Sequence, residues 1–179
     1  MSVSNTIDAF TVTPSSLIVH DTAVYTISID HAISAHAIND YALITFPSLI
    51  SVPAIPSCSP SSGTITCSQQ SSQILKVVYT STPGNIVQLT LQDIANYDLA
   101  DFDVSFSVNV YDGEDYLMEQ YAEYNVSFTE AQISSITVNN DDNIALGEVS
   151  NVTLTITNGF SINAAFDSTL TQVDVTIPP

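Results

Sequence analysis

Apolar side chains recur at every second position along most of this chain, and each run of that alternation predicts a strand. Phe10 and Val12 mark the first. Leu17 and Val19 follow a turn at Pro14, and Tyr25, Ile27 and Ile29 mark the next. Ala42, Ile44 and Phe46 predict another, stopped by Pro47. Beyond a Ser/Pro-rich stretch come Leu75, Val77 and Tyr79, a turn at Pro83-Gly84-Asn85, and then Val87, Leu89 and Leu91. Val104, Phe106, Val108 and Val110 predict a long strand, which Asp112-Gly113 turns into Tyr116 and Met118. Tyr124, Val126 and Phe128 end the series. No stretch carries a convincing helical period. Turn signals fall about every ten residues, the spacing of antiparallel sandwiches. The expected fold class is all-β, an immunoglobulin-like antiparallel β-sandwich.

The pattern repeats. Ile7-Asp-Ala-Phe-Thr-Val12 resembles Ile133-Ser-Ser-Ile-Thr-Val138 at an offset of 126. Leu17 and Val19 match Ile144 and Leu146, and Tyr25, Ile27 and Ile29 match Val152, Leu154 and Ile156, both at 127. Ala42, Ile44, Phe46 and Pro47 match Val173, Val175, Ile177 and Pro178 at 131. The offset drifts only at turns, and the alternation keeps its phase. A one-residue slip would invert the faces. Residues 1–131 are therefore expected to form a complete unit, and residues 132–179 the first three strands of a second. Three strands cannot close a sandwich, and about 45 residues is too few for a self-sufficient core. Ile136, Val138, Val173, Val175 and Ile177 would face water unless a partner surface covered them. That surface is expected on a neighbouring chain or on the first unit, unless the chain is truncated. Exposed edge strands are templates for such pairing, so head-to-tail self-association is the expected partnership.

Charge narrows the partners. Nineteen acidic residues stand against one basic residue, Lys76, for a formal net charge of −18. Nucleic-acid binding needs Lys and Arg to neutralise phosphates and is excluded. Anionic membranes and phosphorylated ligands are disfavoured for the same reason. No apolar run reaches the roughly 18 residues of a membrane span, so no membrane insertion is expected. Cations, Ca²⁺ above all, and neutral glycans remain compatible. Met1-Ser-Val-Ser-Asn-Thr6 lacks the parts of a signal peptide, so the chain reads as a mature product or a fragment of a precursor. Eight residues separate Cys58 and Cys67 in a Ser/Pro-rich stretch. That spacing is wrong for a zinc knuckle or a redox pair and suits a small disulfide-closed loop or hairpin, with two free thiols as the alternative. A disulfide implies an oxidising, extracellular or cell-surface setting.

Several segments carry a family likeness: Tyr25-Thr-Ile-Ser-Ile29, Ala42-Leu-Ile-Thr-Phe-Pro47, the two cysteines, Leu89-Thr-Leu-Gln-Asp-Ile-Ala-Asn96, and Phe106-Ser-Val-Asn-Val-Tyr-Asp-Gly113. Together they resemble the tandem β-sandwich units of very large surface proteins of single-celled eukaryotes. Those units share an Ile-Thr-Phe-Pro strand, a paired-cysteine loop and a late strand ending in Tyr-Asp-Gly. The resemblance spans the full unit and the partial one. It implies tandem arrays, an extracellular location and no catalysis, and it transfers no site residues. Immunoglobulin-like subunits of extracellular fibres are similar at fold level.

Candidate chemistry is sparse. Asn125-Val-Ser127 and Asn151-Val-Thr153 are N-glycosylation sequons whose alternation points Asn125 and Asn151 outward. Ser and Thr around 57–72 could carry O-linked sugars. Asp112, Glu114 and Asp115 in one turn, and Asp141 and Asp142 in another, are oxygen-rich enough to consider for Ca²⁺, although Asp and Asn favour turns in any case. His20, His31 and His36 read as loop or partly buried histidines, because a metal site would need further ligands and Asp30 and Asp40 are near only in sequence. Asp101 and Asp103 read as an acidic strand start rather than a glycosidase pair. There is no nucleophile elbow, metalloprotease motif or phosphate loop. No enzyme is expected, and no cofactor beyond Ca²⁺ at these turns and covalent glycans. The expected role is a non-enzymatic extracellular structural protein, a fibre or surface-layer subunit joined head to tail by strand pairing. The alternative is an adhesion or glycan-binding module using the loop Ser48–Ser72.

Overall fold

The computed structural model describes residues 5–33, 36–61, 64–97, 103–130, 133–140 and 152–158. Among these, all regular structure is β and there is no helix. In chain order the strands are β1 (Asn5–Thr6), β2 (Ala9–Pro14), β3 (Thr22–Asp30), β4 (Tyr41–Thr45), β5 (Cys58–Pro60) and β6 (Ile65–Ser71). They continue with β7 (Ile74–Tyr79), β8 (Ile86–Ala95), β9 (Asp103–Tyr111), β10 (Leu117–Ser127), β11 (Ile133–Asn140) and β12 (Val152–Asn158). The chain divides into two units, Met1–Glu130 and Ala131–Pro179.

In the first unit, β1-β10-β9-β4-β7-β6 form one sheet and β2-β3-β8-β5 the other. Both sheets turn their alternate apolar rows to a shared core. Tyr25, Ile27 and Ile29 of β3 and Leu89 and Leu91 of β8 are fully buried, as are Ile44 of β4 and Phe106, Val108 and Val110 of β9. Rings meet across the layers: Tyr25 lies 6.3 Å from Phe106, and Phe10 of β2 lies 5.8 Å from Tyr121 of β10. This is an immunoglobulin-like β-sandwich, built from β-branched and aromatic residues that suit a pleated, half-buried surface.

The first strand changes sheets. β1 runs parallel to β10, whereas β2 runs antiparallel to β3. At the crossing, the Ile7 N–H donates to the Gln120 carbonyl and the Asp8 N–H to the Asp30 carbonyl, one bond to each sheet. The side chain of Ile7 is buried between them. Leu17, expected to point inward, is instead 43% exposed, because Ser15–Val19 forms a connection with a single bridge from Ile18 to Thr129 rather than a strand. Tyr116 is likewise exposed and lies in the turn.

Cys58 sits on β5 and Cys67 on β6, edge strands of different sheets, and their disulfide joins the layers over a Cα–Cα distance of 6.1 Å. The bond is thus a cross-sheet staple rather than the closure of one hairpin.

Two β-bulges shift the phase of otherwise regular strands. Opposite the single residue Val24, β8 carries two, Gln92 and Asp93, with Asp93 at a left-handed φ of 58°. Met118 is the extra residue in β10, between the pairs Leu117–Tyr111 and Glu119–Val110. A bulge places two residues opposite one, so every later side chain changes face. β10 has a further register shift between Tyr121 and Tyr124.

In the second unit, β11 and β12 pair antiparallel. Ile136 lies opposite Ile156, Val138 opposite Leu154 and Asn140 opposite Val152. In the first unit Phe10 lies opposite Ile29, Val12 opposite Ile27 and Pro14 opposite Tyr25. The residues that correspond in the sequence repeat therefore form corresponding pairs.

Candidate functional site

The bulge at Met118 delivers Glu119 to the core. Paired with the buried Val110, its carboxylate is fully buried. A buried carboxylate is expensive unless partnered, and this one is closely surrounded. Its Oε1 accepts the Ile33 N–H at 2.7 Å. Its Oε2 lies 2.6 Å from His31 Nδ1 and 2.9 Å from His36 Nε2. The three residues come from separate stretches of chain: the residue after β3, the loop that follows, and β10.

Each imidazole is held from behind. His31 Nε2 lies 3.1 Å from the Tyr79 hydroxyl. His36 Nδ1 faces Asp40 Oδ2 at 3.5 Å and has no hydrogen-bond partner. The two rings lie 4.1 Å apart, centre to centre. Local backbone fixes these positions. The His31 N–H donates to the Asn85 carbonyl, and the Ala37 N–H donates to Asp40 Oδ2 within a turn in which Asn39 adopts a left-handed φ of 76°. Asp40 Oδ1 accepts the Gly113 N–H, tying the loop to the β9–β10 turn. Burial pushes the His31 pKa below its usual value against the opposing hydrogen bond to Glu119, which favours a neutral imidazole. Burial raises the Tyr79 phenol, keeping it protonated.

From sequence alone these are loop or partly buried histidines that lack a further ligand. Glu119, the missing one, is 88 residues from His31. Both histidines are buried more deeply than loop or partly buried positions, at 2% and 4% exposure. Among the described residues, His31, His36 and Glu119 form a cluster able to hold a metal ion, with ligand atoms all within 4.8 Å of one another.

The other candidates fall as follows. Asn125 is exposed on β10, beside Ser105 of β9, and the hydroxyl of its sequon partner Ser127 donates to Asp103. Asp112 Oδ1 accepts the N–H groups of Glu114 and Tyr116, and Asp115 Oδ1 accepts the Tyr41 hydroxyl. The Asp112 carboxylate serves the turn itself, and that of Asp115 ties the turn to β4. Lys76 lies 3.8 Å over the Tyr41 ring. The loop Ser48–Ser72 contains all of β5 and β6, each at the edge of its sheet. Ile136 and Val138 lie on β11. Asp101, Asp141, Asp142, Asn151, Val173, Val175 and Ile177 lie outside the described residues.

No family model and no curated relative matches the chain. Among solved structures it is similar to a bacterial hydrophobin, BslA, at 12% identity and TM-score 0.46, covering 68% of this chain and 96% of that one. It is also similar to a cohesin module from a Clostridium perfringens family 33 glycoside hydrolase, at 8% identity and TM-score 0.47, covering 70% and 99%. A third is the collagen-binding subdomain of the Enterococcus faecalis surface protein ACE, at 7% identity and TM-score 0.38, covering 63% and 95%.

Proposed function

We propose that this chain is a segment of a non-enzymatic extracellular structural protein. Immunoglobulin-like units repeat in tandem and join head to tail by strand pairing into a fibre or surface layer. The observation that carries this reading is the conserved register of the repeat: β11–β12 pairs the same corresponding residues as β2–β3. A chain that rebuilds one hairpin about 126 residues later reads as an array, the architecture of the surface proteins it resembles.

Four features support the finer statement. β2 and β6 each pair on one side only among the described residues, so each offers a row of main-chain donors and acceptors. The disulfide between β5 and β6 suits an oxidising compartment. The net charge of −18 keeps a β-rich surface soluble before assembly. Asn125, exposed on β10, is open to a glycan.

The test is negative-stain microscopy with light scattering on the purified oxidised chain. Filaments or concentration-dependent oligomers are expected. A monodisperse monomer at high concentration would refute head-to-tail assembly. Saturable binding of that monomer on a glycan array would favour an adhesion module instead.

A further inference from the structure

We propose that His31, His36 and Glu119 are the ligands of a structural divalent transition-metal ion of the Zn²⁺ class. The donor set is two imidazole nitrogens and one carboxylate oxygen. Imidazole suits Zn²⁺ and its neighbours, whereas Ca²⁺ and Mg²⁺ take oxygen.

Hydrogen-bond accounting supports a bound cation over an ionised Glu119 beside two neutral imidazoles. Without one, the Glu119 Oε2 carboxylate oxygen needs a proton donor on both imidazoles. His31 then carries its hydrogen on Nδ1 and accepts from the Tyr79 hydroxyl at Nε2, which is satisfactory. His36 must carry its hydrogen on Nε2, and its Nδ1 lone pair then points at the Asp40 carboxylate, acceptor against acceptor. That is the atom found buried without a partner. An ion bound to His31 Nδ1, His36 Nε2 and Glu119 Oε2 reverses both rings. His31 Nε2–H then donates to the Tyr79 oxygen, and His36 Nδ1–H turns to Asp40. Glu119 Oε1 keeps the Ile33 N–H. Each ligand thereby gains an outer partner, the usual support of a metal-bound histidine or carboxylate.

The two separations from Glu119 Oε2 agree to within small adjustments. Tetrahedral Zn²⁺ sites have metal–nitrogen and metal–oxygen bonds of about 2.0–2.2 Å, which sets ligand atoms roughly 3.3 Å apart. The observed 2.6 and 2.9 Å must therefore open by about half an ångström. Three protein ligands leave the fourth position to water. All three residues are at most 4% exposed, so the site is structural rather than catalytic. It would join the end of β3, in one sheet, to β10, in the other, as the disulfide joins β5 to β6.

The competing occupant is a proton: one held between Glu119 Oε2 and His36 Nε2, on either residue, would leave His36 Nδ1–H for Asp40 and also satisfy Nδ1. The experiment separates the two. The full chain is stripped with chelator under denaturing conditions, refolded with excess Zn²⁺ or Co²⁺, and desalted. One ion retained per chain is expected, with the ligand-field bands of four-coordinate Co²⁺ and a melting temperature that falls when chelator is added during unfolding. His36→Gln should abolish retention, and Asp40→Asn should weaken affinity 10- to 100-fold. Refolded wild-type chain holding no more metal than its buffer overturns the proposal in favour of the proton. So does a folded His36→Gln variant that retains metal like wild type. If His36→Gln does not fold, the wild-type stoichiometry still decides.

Discussion

Replacing Tyr25 by Phe isolates one buried hydrogen bond. Tyr25 is fully buried on β3, and its hydroxyl donates to Asn96 Oδ1 at 2.8 Å. Asn96, 1% exposed, in turn donates through Nδ2 to the carbonyls of Ser16 and Ile18, at 2.9 and 2.7 Å. The amide thus sews the connection between β2 and β3 to the end of β8, and the tyrosine orients the amide. Tyr25→Phe keeps the ring and its contacts with Phe46 and Phe106. It removes a bond worth about 1 kcal/mol and leaves Oδ1 buried without a donor, so the total loss should be about 1.5–2.5 kcal/mol. Asn96→Ala strips donors from two carbonyls as well and should cost about 3–4 kcal/mol. In the Asn96→Ala background the tyrosine hydroxyl has already lost its acceptor, so Tyr25→Phe should cost almost nothing. The coupling energy should then be about 1.5–2.5 kcal/mol. Urea unfolding followed by tyrosine fluorescence measures all four corners of the cycle, with an unchanged urea dependence showing that the unfolded state is the same. Additive losses, or a Tyr25→Phe change within about 0.3 kcal/mol of wild type, would refute the reasoning.

The remaining expectations are briefer. Changing Cys58 and Cys67 together to Ser releases a loop with a sequence separation of 9 and should cost roughly 2.5 kcal/mol by loop entropy, read as a lower urea midpoint that reductant reproduces in the wild type. Burial, reinforced by the hydrogen bond to Asp115 and the nearby Tyr111 and Asp112, pushes the Tyr41 phenol up from 10 to about 12. The unfolded chain therefore loses this proton first, and stability should begin to fall as pH rises through about 10 and level off above about 12. Melting temperature against pH tests this, and Tyr41→Phe should flatten the curve in that window. If Val173, Val175 and Ile177 form a junction strand, Val175→Asp should abolish assembly in the electron microscope while the first unit's circular dichroism is unchanged. Filaments that survive the change place the junction elsewhere.

How much of this was legible in the sequence follows from what alternation can encode. Phe10, Val12, Tyr25, Ile27, Ile29, Ala42, Ile44 and Phe46, all read as inward, are all buried, as are the expected rows of β7, β8 and β9. An apolar side chain at every second position leaves no other face for a strand to bury. β5 and β6 were read as loop because they carry no inward apolar row: β5 is Cys-Ser-Pro, and β6 alternates half-buried and exposed positions. Their place at the sheet edges rests on main-chain pairing and the disulfide, neither of which has a hydrophobic period.

The two buried polar sites were missed for one shared reason. Val87, Leu89 and Leu91 put odd positions of β8 inward, so Asn96 reads as a solvent residue; the bulge at Gln92-Asp93 transfers the inward role to Ile94 and Asn96. Val126 and Phe128 put even positions of β10 inward, so Glu119 reads as solvent too. The shift between Tyr121 and Tyr124 reverses that assignment, and the bulge at Met118 reverses it again beyond Glu119. Glu119 is thus inward on a short out-of-phase segment, where it meets two histidines. A bulge is a property of backbone pairing, and one inserted residue exchanges water for core along the rest of the strand. In a sandwich whose regular faces are committed to apolar packing, the phase breaks are where polar side chains enter the interior. For Asp93 a cue was present: Asp is among the residues that tolerate a left-handed backbone. Met118 gave none, because methionine fits either face, and that is why the His31–His36–Glu119 cluster emerges only once the strand register is known.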